Sequence, residues 1–133
     1  MAPLLRSKTL SVSIDCDPRE VYEFVSNLDN LPKWAKTFCR SIRRLDGEWI
    51  VETPQGPVKI SIAGKNDLGI LDHYVRPPAG AEVFVPMRVV PNGSGSEVIF
   101  TLFQLPGVSD ESHAEDIRLV EQDLRSLKSV MEG

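Results

Sequence analysis

Apolar and polar residues alternate along much of the chain, a pattern typical of strands with one buried face. Residues 9–14 alternate Thr and Ser with Leu, Val and Ile and predict a first strand. Six further β-prone segments follow and are separated by turn residues, at 38–45, 48–53, 58–63, 70–75, 82–90 and 97–105. Short strands joined by turns predict an antiparallel meander.

Two short helices are predicted directly after the first strand. Asp17 is a favourable N-cap residue, and Pro18 suits the first helical turn. The apolar residues that follow recur at the spacing of a helix face, at positions 21, 24, 25 and 28. A second short helix is predicted within residues 29–38, with Asp29 or Asn30 as its N-cap and Trp34 as its buried anchor.

The segment over residues 109–133 has the pattern of a long amphipathic helix. Ser112 and Glu115 form a capping box, Ser109 is an alternative and earlier N-cap, and His113 is expected to be exposed. One face of this helix is an apolar stripe that consists of Ile117, Val120, Leu124, Leu127 and Met131. Such a stripe is expected to pack against another part of the protein. The order of elements predicts an α+β fold. The predicted fold is a curved antiparallel sheet of about seven strands. Two short helices follow strand 1, and a long C-terminal helix packs in the concave face of the sheet.

Composition and charge narrow the classes of function. The 133 residues predict a single domain over 1–133, and a net charge of −4 with mixed signs gives no basic surface for nucleic acid. We expect no membrane span, because no apolar run is long enough. The first ten residues lack the apolar core of a signal peptide, so a cytoplasmic location is expected. Cys16 and Cys39 form no CxxC pair and are expected to be reduced.

Three segments carry a family resemblance: LDHYV (71–75), PMRVVPNGSGSEVIFTLFQLPG (86–107) and AEDIRLVEQDLRSLKSVME (114–132). With the order of elements, they resemble the START-like (SRPBCC) superfamily, and within it a bacterial subgroup of polyketide cyclase/dehydrase-like proteins. The resemblance implies a helix-grip fold and a cavity between sheet and long helix for a small hydrophobic or amphipathic molecule. It implies no particular reaction, because the superfamily includes carriers, sensors, cyclases and co-chaperones.

Strand alternation predicts which side chains face that cavity. In residues 70–76, positions 71, 73 and 75 form the more apolar set, so His73 is expected to point inward and Asp72 outward. On the strand over 82–90, the same rule places Arg88 outside, where it can pair with Asp72. Pro86 leaves an alternative open, because a bulge there would turn Arg88 inward.

The candidate ligand-binding residues come from these faces and from nearby polar groups. His73 is the candidate acid–base group, since imidazole titrates near neutrality, and Arg88 would bind a carboxylate if it faced inward. The full candidate set is His73, Tyr74, Met87, Arg88, Phe100, Leu102, Gln104, Leu124 and Trp34. No metal site and no cofactor are predicted, because the two histidines lie 40 positions apart and no binding motif occurs.

Three kinds of function fit these residues. The first is a binding module for a small apolar or aromatic molecule, and the second is a polyketide cyclase/dehydratase-like enzyme with His73 as proton shuttle. The single inward acid–base group favours binding. The third is a protein-interaction module, since an apolar patch on the outer sheet face predicts a homodimer. That patch consists of Phe84, Val90, Ile99 and Phe103.

Overall fold

The elements follow one another in the order that the sequence predicts. The computed structural model describes residues 3–133, and within them the chain forms eight antiparallel strands and three α-helices. The strands are β1 (Ser7–Ile14), β2 (Ser41–Leu45), β3 (Glu48–Thr53), β4 (Gly56–Ile62), β5 (His73–Arg76), β6 (Val83–Val85), β7 (Met87–Asn92) and β8 (Gly95–Phe103). The helices are α1 (Pro18–Ser26), α2 (Leu31–Trp34) and α3 (Asp110–Glu132), and a 3-10 turn (Leu28–Asn30) precedes α2.

Pro86 divides one predicted strand into two. The strand predicted over 82–90 forms β6 and β7, and the two hydrogen-bonded sheets are β2-β3-β4-β5-β6 and β1-β8-β7. Proline has no N–H to donate, so the strand bends here: β6 pairs with β5, and β7 pairs with β8. Counted as one bent strand, β6 and β7 give the seven strands that the sequence predicts. The bent strand belongs to both sheets, which together form one curved surface.

Asp72 stabilises this bend from the outer face. Its Oδ1 accepts hydrogen bonds from the backbone N–H of Met87 at 2.9 Å and from Nε of Arg88 at 3.1 Å. Its Oδ2 accepts a second bond from Nη2 of Arg88 at 2.9 Å. The predicted ion pair therefore forms, and Arg88 stays outside despite the bend at Pro86. This hydrogen-bonded guanidinium holds the pKa of Asp72 below its usual range.

The cap of α3 differs from the predicted capping box. The hydroxyl of Ser109 accepts the backbone N–H of Ser112 at 3.1 Å, so Ser109, the earlier of the two predicted caps, begins the helix. His113 then makes the first helical hydrogen bond to the carbonyl of Ser109 and turns onto the inner face. It is 6% exposed, so the predicted exposure of His113 is wrong. At the start of α1, the predicted N-cap Asp17 accepts the N–H of Arg19 at 2.8 Å.

Helix α3 packs against β1 and α2 and closes the core. Leu124 and Leu127 of α3 join Val21 and Val25 of α1 in one buried cluster with the inner face of the sheet. Cys39 lies in the same cluster, and burial raises the pKa of its thiol to about 11. Across residues 3–133, none of the helices combines the length and the apolar character that crossing a lipid bilayer requires.

Candidate functional site

A cavity of about 440 Å³ lies between the sheet and the helices. Its apolar wall comes from α1, α2 and the inner face of strands β4 to β8, and its polar groups lie mainly on α3 and the segment after α2. The apolar side chains include Val25, Leu28, Leu31, Ile60, Ile62, Val75, Val85, Met87, Phe100, Leu102 and Val120. The sequence predicts alternate residues of each strand on this face, and the register places them there.

His73 is the polar group of the sheet wall. Its Nδ1 lies 3.0 Å from the carbonyl oxygen of Leu71, and its ring packs edge-on to Phe100 with centroids 6.0 Å apart. A carbonyl oxygen can only accept, so Nδ1 carries the proton and neutral His73 has a free lone pair on Nε2. Burial lowers the pKa of His73, which favours this neutral form.

Two ring nitrogens that belong to residues of the cavity lining are buried without a protein partner. Trp34 on α2 and His113 on α3 are 5% and 6% exposed, and both line the cavity. Among residues 3–133, the side-chain atoms that are buried without a hydrogen bond are Nε1 of Trp34 and Nε2 of His113. Both atoms have almost no accessible surface, so neither nitrogen faces the open space of the cavity.

Two carboxyl groups of α3 also line the cavity. Both oxygens of buried Asp123 accept hydrogen bonds from Thr37, from its N–H at 3.0 Å and from its hydroxyl at 2.7 Å. Burial raises the pKa of Asp123, and the bonds from Thr37 oppose that rise. Desolvation also raises the pKa of Asp116, although its side chain still reaches solvent at the edge of the cavity. Thr37 and Asp123 therefore fix the segment after α2 to α3.

The nine candidate residues divide into two groups. Five of them line the cavity: His73, Met87, Phe100, Leu102 and Trp34. The other four do not: Tyr74, Arg88, Gln104 and Leu124. Their positions have simple physical reasons.

Alternation along β5 places Tyr74 outside, where it lies against Phe84, and Arg88 is outside in its pair with Asp72. The side-chain amide of Gln104 donates to the carbonyl of Val108 at 2.8 Å and to Asp110 at 2.9 Å, so it holds the connection to α3. Leu124 is 2% exposed and packs in the core away from the cavity.

The polar residues of α3 line the cavity but are not among the residues predicted to do so from the sequence. His113, Asp116 and Asp123 share a face with Val120 and Leu127, at spacings of three and four residues. Extending the predicted apolar stripe one turn back from Ile117 reaches His113, which is the signal that could have found it. Within residues 3–133, no three His, Cys, Asp or Glu side chains form a group suited to a metal ion.

Comparisons with known proteins bear on the fold. No family model matches the sequence, and no curated protein matches it. Solved structures match over 96% of this chain. XoxI from Bacillus cereus has a TM-score of 0.78 at 19% identity over 96% of its own chain. The Aha1 dimer from Colwellia psychrerythraea has 0.76 at 13% identity over 97%, and Ara h 8.0201 has 0.73 at 16% identity over 98%.

These similarities extend over nearly the whole length of each chain, at identities below 20%. They confirm the helix-grip fold that the sequence predicts. Because one fold hosts many activities, the function has to be argued from the cavity.

Proposed function

We propose that this protein binds a small hydrophobic or amphipathic molecule in the cavity between the sheet and α3. The observation that carries the proposal is the cavity itself, whose wall is largely apolar and offers the unbonded Nε2 of His73 as a hydrogen-bond acceptor. Ligand pockets typically have such a lining, mostly apolar with a few polar groups that fix the orientation of the bound molecule. The volume of about 440 Å³ suits a small organic ligand.

His73 supports a second candidate, an enzyme of the cyclase or dehydratase type. Its free Nε2 lone pair can accept a proton, as a general base must. However, neither of its expected helpers, Tyr74 and Arg88, lines the cavity. Binding is therefore the better supported function. A pH–rate profile that shows no limb at the pKa of His73 would contradict the catalytic assignment.

Native mass spectrometry of freshly purified protein is the first test of binding. We expect a small adduct that is present in the native spectrum and absent after denaturation, and its mass would give the ligand. A protein that is adduct-free as purified is then loaded with N-phenyl-1-naphthylamine, an uncharged dye whose fluorescence rises in apolar surroundings. Failure of the dye to bind would contradict the proposal.

A matched pair of variants on α3 locates the binding. Val120 lines the cavity, whereas Val130 is 39% exposed near the end of the same helix. We expect Val120→Phe to reduce dye binding at least about tenfold, because the added ring occupies cavity space. Val130→Phe should bind as the wild type does.

Stability provides the control for this pair. Overpacking a filled core costs about 1–3 kcal/mol of unfolding free energy, whereas an open cavity accommodates a larger side chain. We therefore expect Val120→Phe to lose less than that range in urea unfolding. Unchanged dye binding in Val120→Phe would show that the dye binds elsewhere.

A further inference from the structure

His73 presents an unpartnered and accessible ring nitrogen to the cavity. Its Nδ1 is bonded to the carbonyl of Leu71, whereas its Nε2 has no partner in the protein. Among residues 3–133, the side-chain atoms that are both buried and unpartnered belong to Trp34 and His113, so Nε2 of His73 keeps accessible surface. The ring lies on the inner face of β5 and lines the cavity, so this surface faces the space for a ligand.

A protonated His73 would have both of its N–H groups bonded once an acid occupies the cavity. Nδ1 already donates to Leu71, and a ligand carboxylate would accept a charge-assisted hydrogen bond from Nε2. A carboxylate in a largely apolar cavity needs a compensating positive charge, and a proton on His73 supplies it. The carboxylate in turn favours the charged ring and raises the pKa of His73 in the complex.

The other ionisable groups around this ring supply no such charge. Those that share the cavity with it are His113, Asp116 and Asp123 of α3, and the lining of the described part of the chain contains no Lys or Arg. Both oxygens of Asp123 are bonded to Thr37, and Asp116 lies at the edge of the cavity. Asp72, the chain neighbour of His73, points to the outer face and is paired there with Arg88.

His113 is less suited than His73 to carry the proton. Its Nε2 is buried without a partner and has almost no accessible surface. Protonation of this ring places an N–H on that atom, and a buried donor without an acceptor is costly. Of the two histidines in the lining, His73 is therefore the one that can be charged with both N–H groups bonded.

We propose, building on the ligand-binding function above, that the cavity accepts carboxylic acids with an apolar body and takes up one proton from solution for each molecule bound. The proton is held between Nε2 of His73 and the ligand carboxylate. The count is the same whether it resides on the nitrogen or on the carboxyl oxygen. His73 is thereby a residue that determines specificity.

Calorimetry of the unmodified protein counts the protons. The probes are 2-naphthoate and the alcohol of the same skeleton, 2-naphthalenemethanol, each titrated at pH 7.5 in phosphate and in Tris buffer. These buffers differ in their heat of ionisation, so the difference in binding heat gives the number of protons taken up. Free His73 is neutral at this pH, because burial lowers its pKa below 6.5. We expect an uptake close to one proton for 2-naphthoate and close to zero for the alcohol.

The same uptake makes the affinity for the acid depend on pH. Uptake of one proton weakens binding by up to about tenfold for each pH unit of increase. In displacement of N-phenyl-1-naphthylamine, we expect the dissociation constant of 2-naphthoate to rise about three- to tenfold between pH 7 and pH 8. That of 2-naphthalenemethanol should change by less than about twofold, since no proton accompanies it.

Three variants assign the proton to one residue. His73→Phe and His113→Phe exchange the same ring in two residues of the lining, and Asp116→Asn removes the carboxyl group at its edge. We expect the proton uptake with 2-naphthoate to be lost in His73→Phe and kept in the other two. Dye binding shows that the cavity of each variant is intact. As a measurement that needs no folded variant, the titration midpoint of the His73 ring protons should rise by at least about one pH unit in saturating 2-naphthoate.

The outcomes separate the two proposals. If 2-naphthoate fails to displace the dye, or binds without proton uptake, the acid-binding proposal is overturned and the ligand-binding cavity stands. Uptake that persists in His73→Phe would overturn it too, because the proton would then reside on another group. Failure of the dye itself to bind would overturn both proposals.

Discussion

His73 connects the cavity to the stability of the protein. Burial lowers the pKa of His73 below its ordinary value of 6.5, so the unfolded chain takes up a proton at a higher pH than the folded chain does. Between these two pKa values the unfolded state holds more protons, and the free energy of unfolding rises with pH. Acidification through this window therefore destabilises the fold.

The direction of this pH dependence of stability gives a testable prediction for His73→Phe. We expect the wild type to lose unfolding free energy between pH 7 and pH 5, and the variant to lose less over the same range, in urea titrations. Asp116 and Asp123 act in the opposite direction, because their raised pKa values make the folded state hold more protons at mildly acidic pH. The comparison of wild type with variant removes their contribution.

Nuclear magnetic resonance provides an independent check. The ring protons of His73, assigned by their absence in His73→Phe, should titrate with a midpoint below pH 6.5. A midpoint at or above this value would contradict the desolvated environment of the ring.

Sequence alone predicts the residues whose direction follows from alternation. Examples are the inward direction of His73, the outward direction of Asp72 and the pairing of Asp72 with Arg88. Each follows from the two-residue period of a strand. The unpartnered nitrogens of Trp34 and His113 are of another kind. Whether a ring nitrogen finds an acceptor depends on all the elements around it, and no spacing in the chain encodes that.

At the scale of elements, the bent strand β6–β7 depends on a single side chain. The buried backbone N–H of Met87 follows Pro86 and is bonded to Asp72 rather than to a neighbouring strand. The carboxylate thus replaces a missing bond of the sheet and holds Arg88 at the same time. The number and order of the strands can be predicted from the sequence. The hydrogen bond from Met87 to Asp72 cannot, because it depends on how the strands pack together.

Substitution of Asp72 tests this role. We expect Asp72→Ala to cost about 1–3 kcal/mol of unfolding free energy, because it leaves a buried N–H without an acceptor. Asp72→Asn should cost less, since its side-chain oxygen can still accept from Met87. Arg88→Ala should cost at most about 1 kcal/mol, as is usual for exposed ion pairs. Urea unfolding measures all three, and an equal loss in Asp72→Ala and Arg88→Ala would contradict the role.

At the scale of the whole molecule, the outer sheet face is less continuous than the sequence suggests. Ile99 of the predicted apolar patch has polar cross-strand neighbours on both sides, Arg88 on β7 and Ser11 on β1. The exposed part is concentrated in Tyr74 and Phe84, which are 44% and 38% exposed and contact each other. Phe84 and Phe103 of the predicted patch also line the cavity, so neither lies on the outer face alone.

The homodimer therefore stays a prediction that rests on this aromatic pair. Sedimentation velocity at micromolar concentration tests it, with Phe84→Ser as the variant. A dimer that Phe84→Ser converts to a monomer would support the predicted interface. A monomeric wild type would contradict it, as would a dimer that the variant leaves intact.

The pairing of β1 with β8 has a consequence for how the protein is made. Residues 7–14 pair with residues 96–103, so β1 emerges from the ribosome long before β8, the strand that it pairs with, has been made. At about 5 to 20 residues per second, the 89 positions between Ile14 and Phe103 take roughly 5 to 20 seconds to translate. Until α3 follows, the apolar wall of the cavity faces water. Nascent chains therefore pass through an aggregation-prone interval, in which slow translation or a lost C-terminal helix would be most harmful.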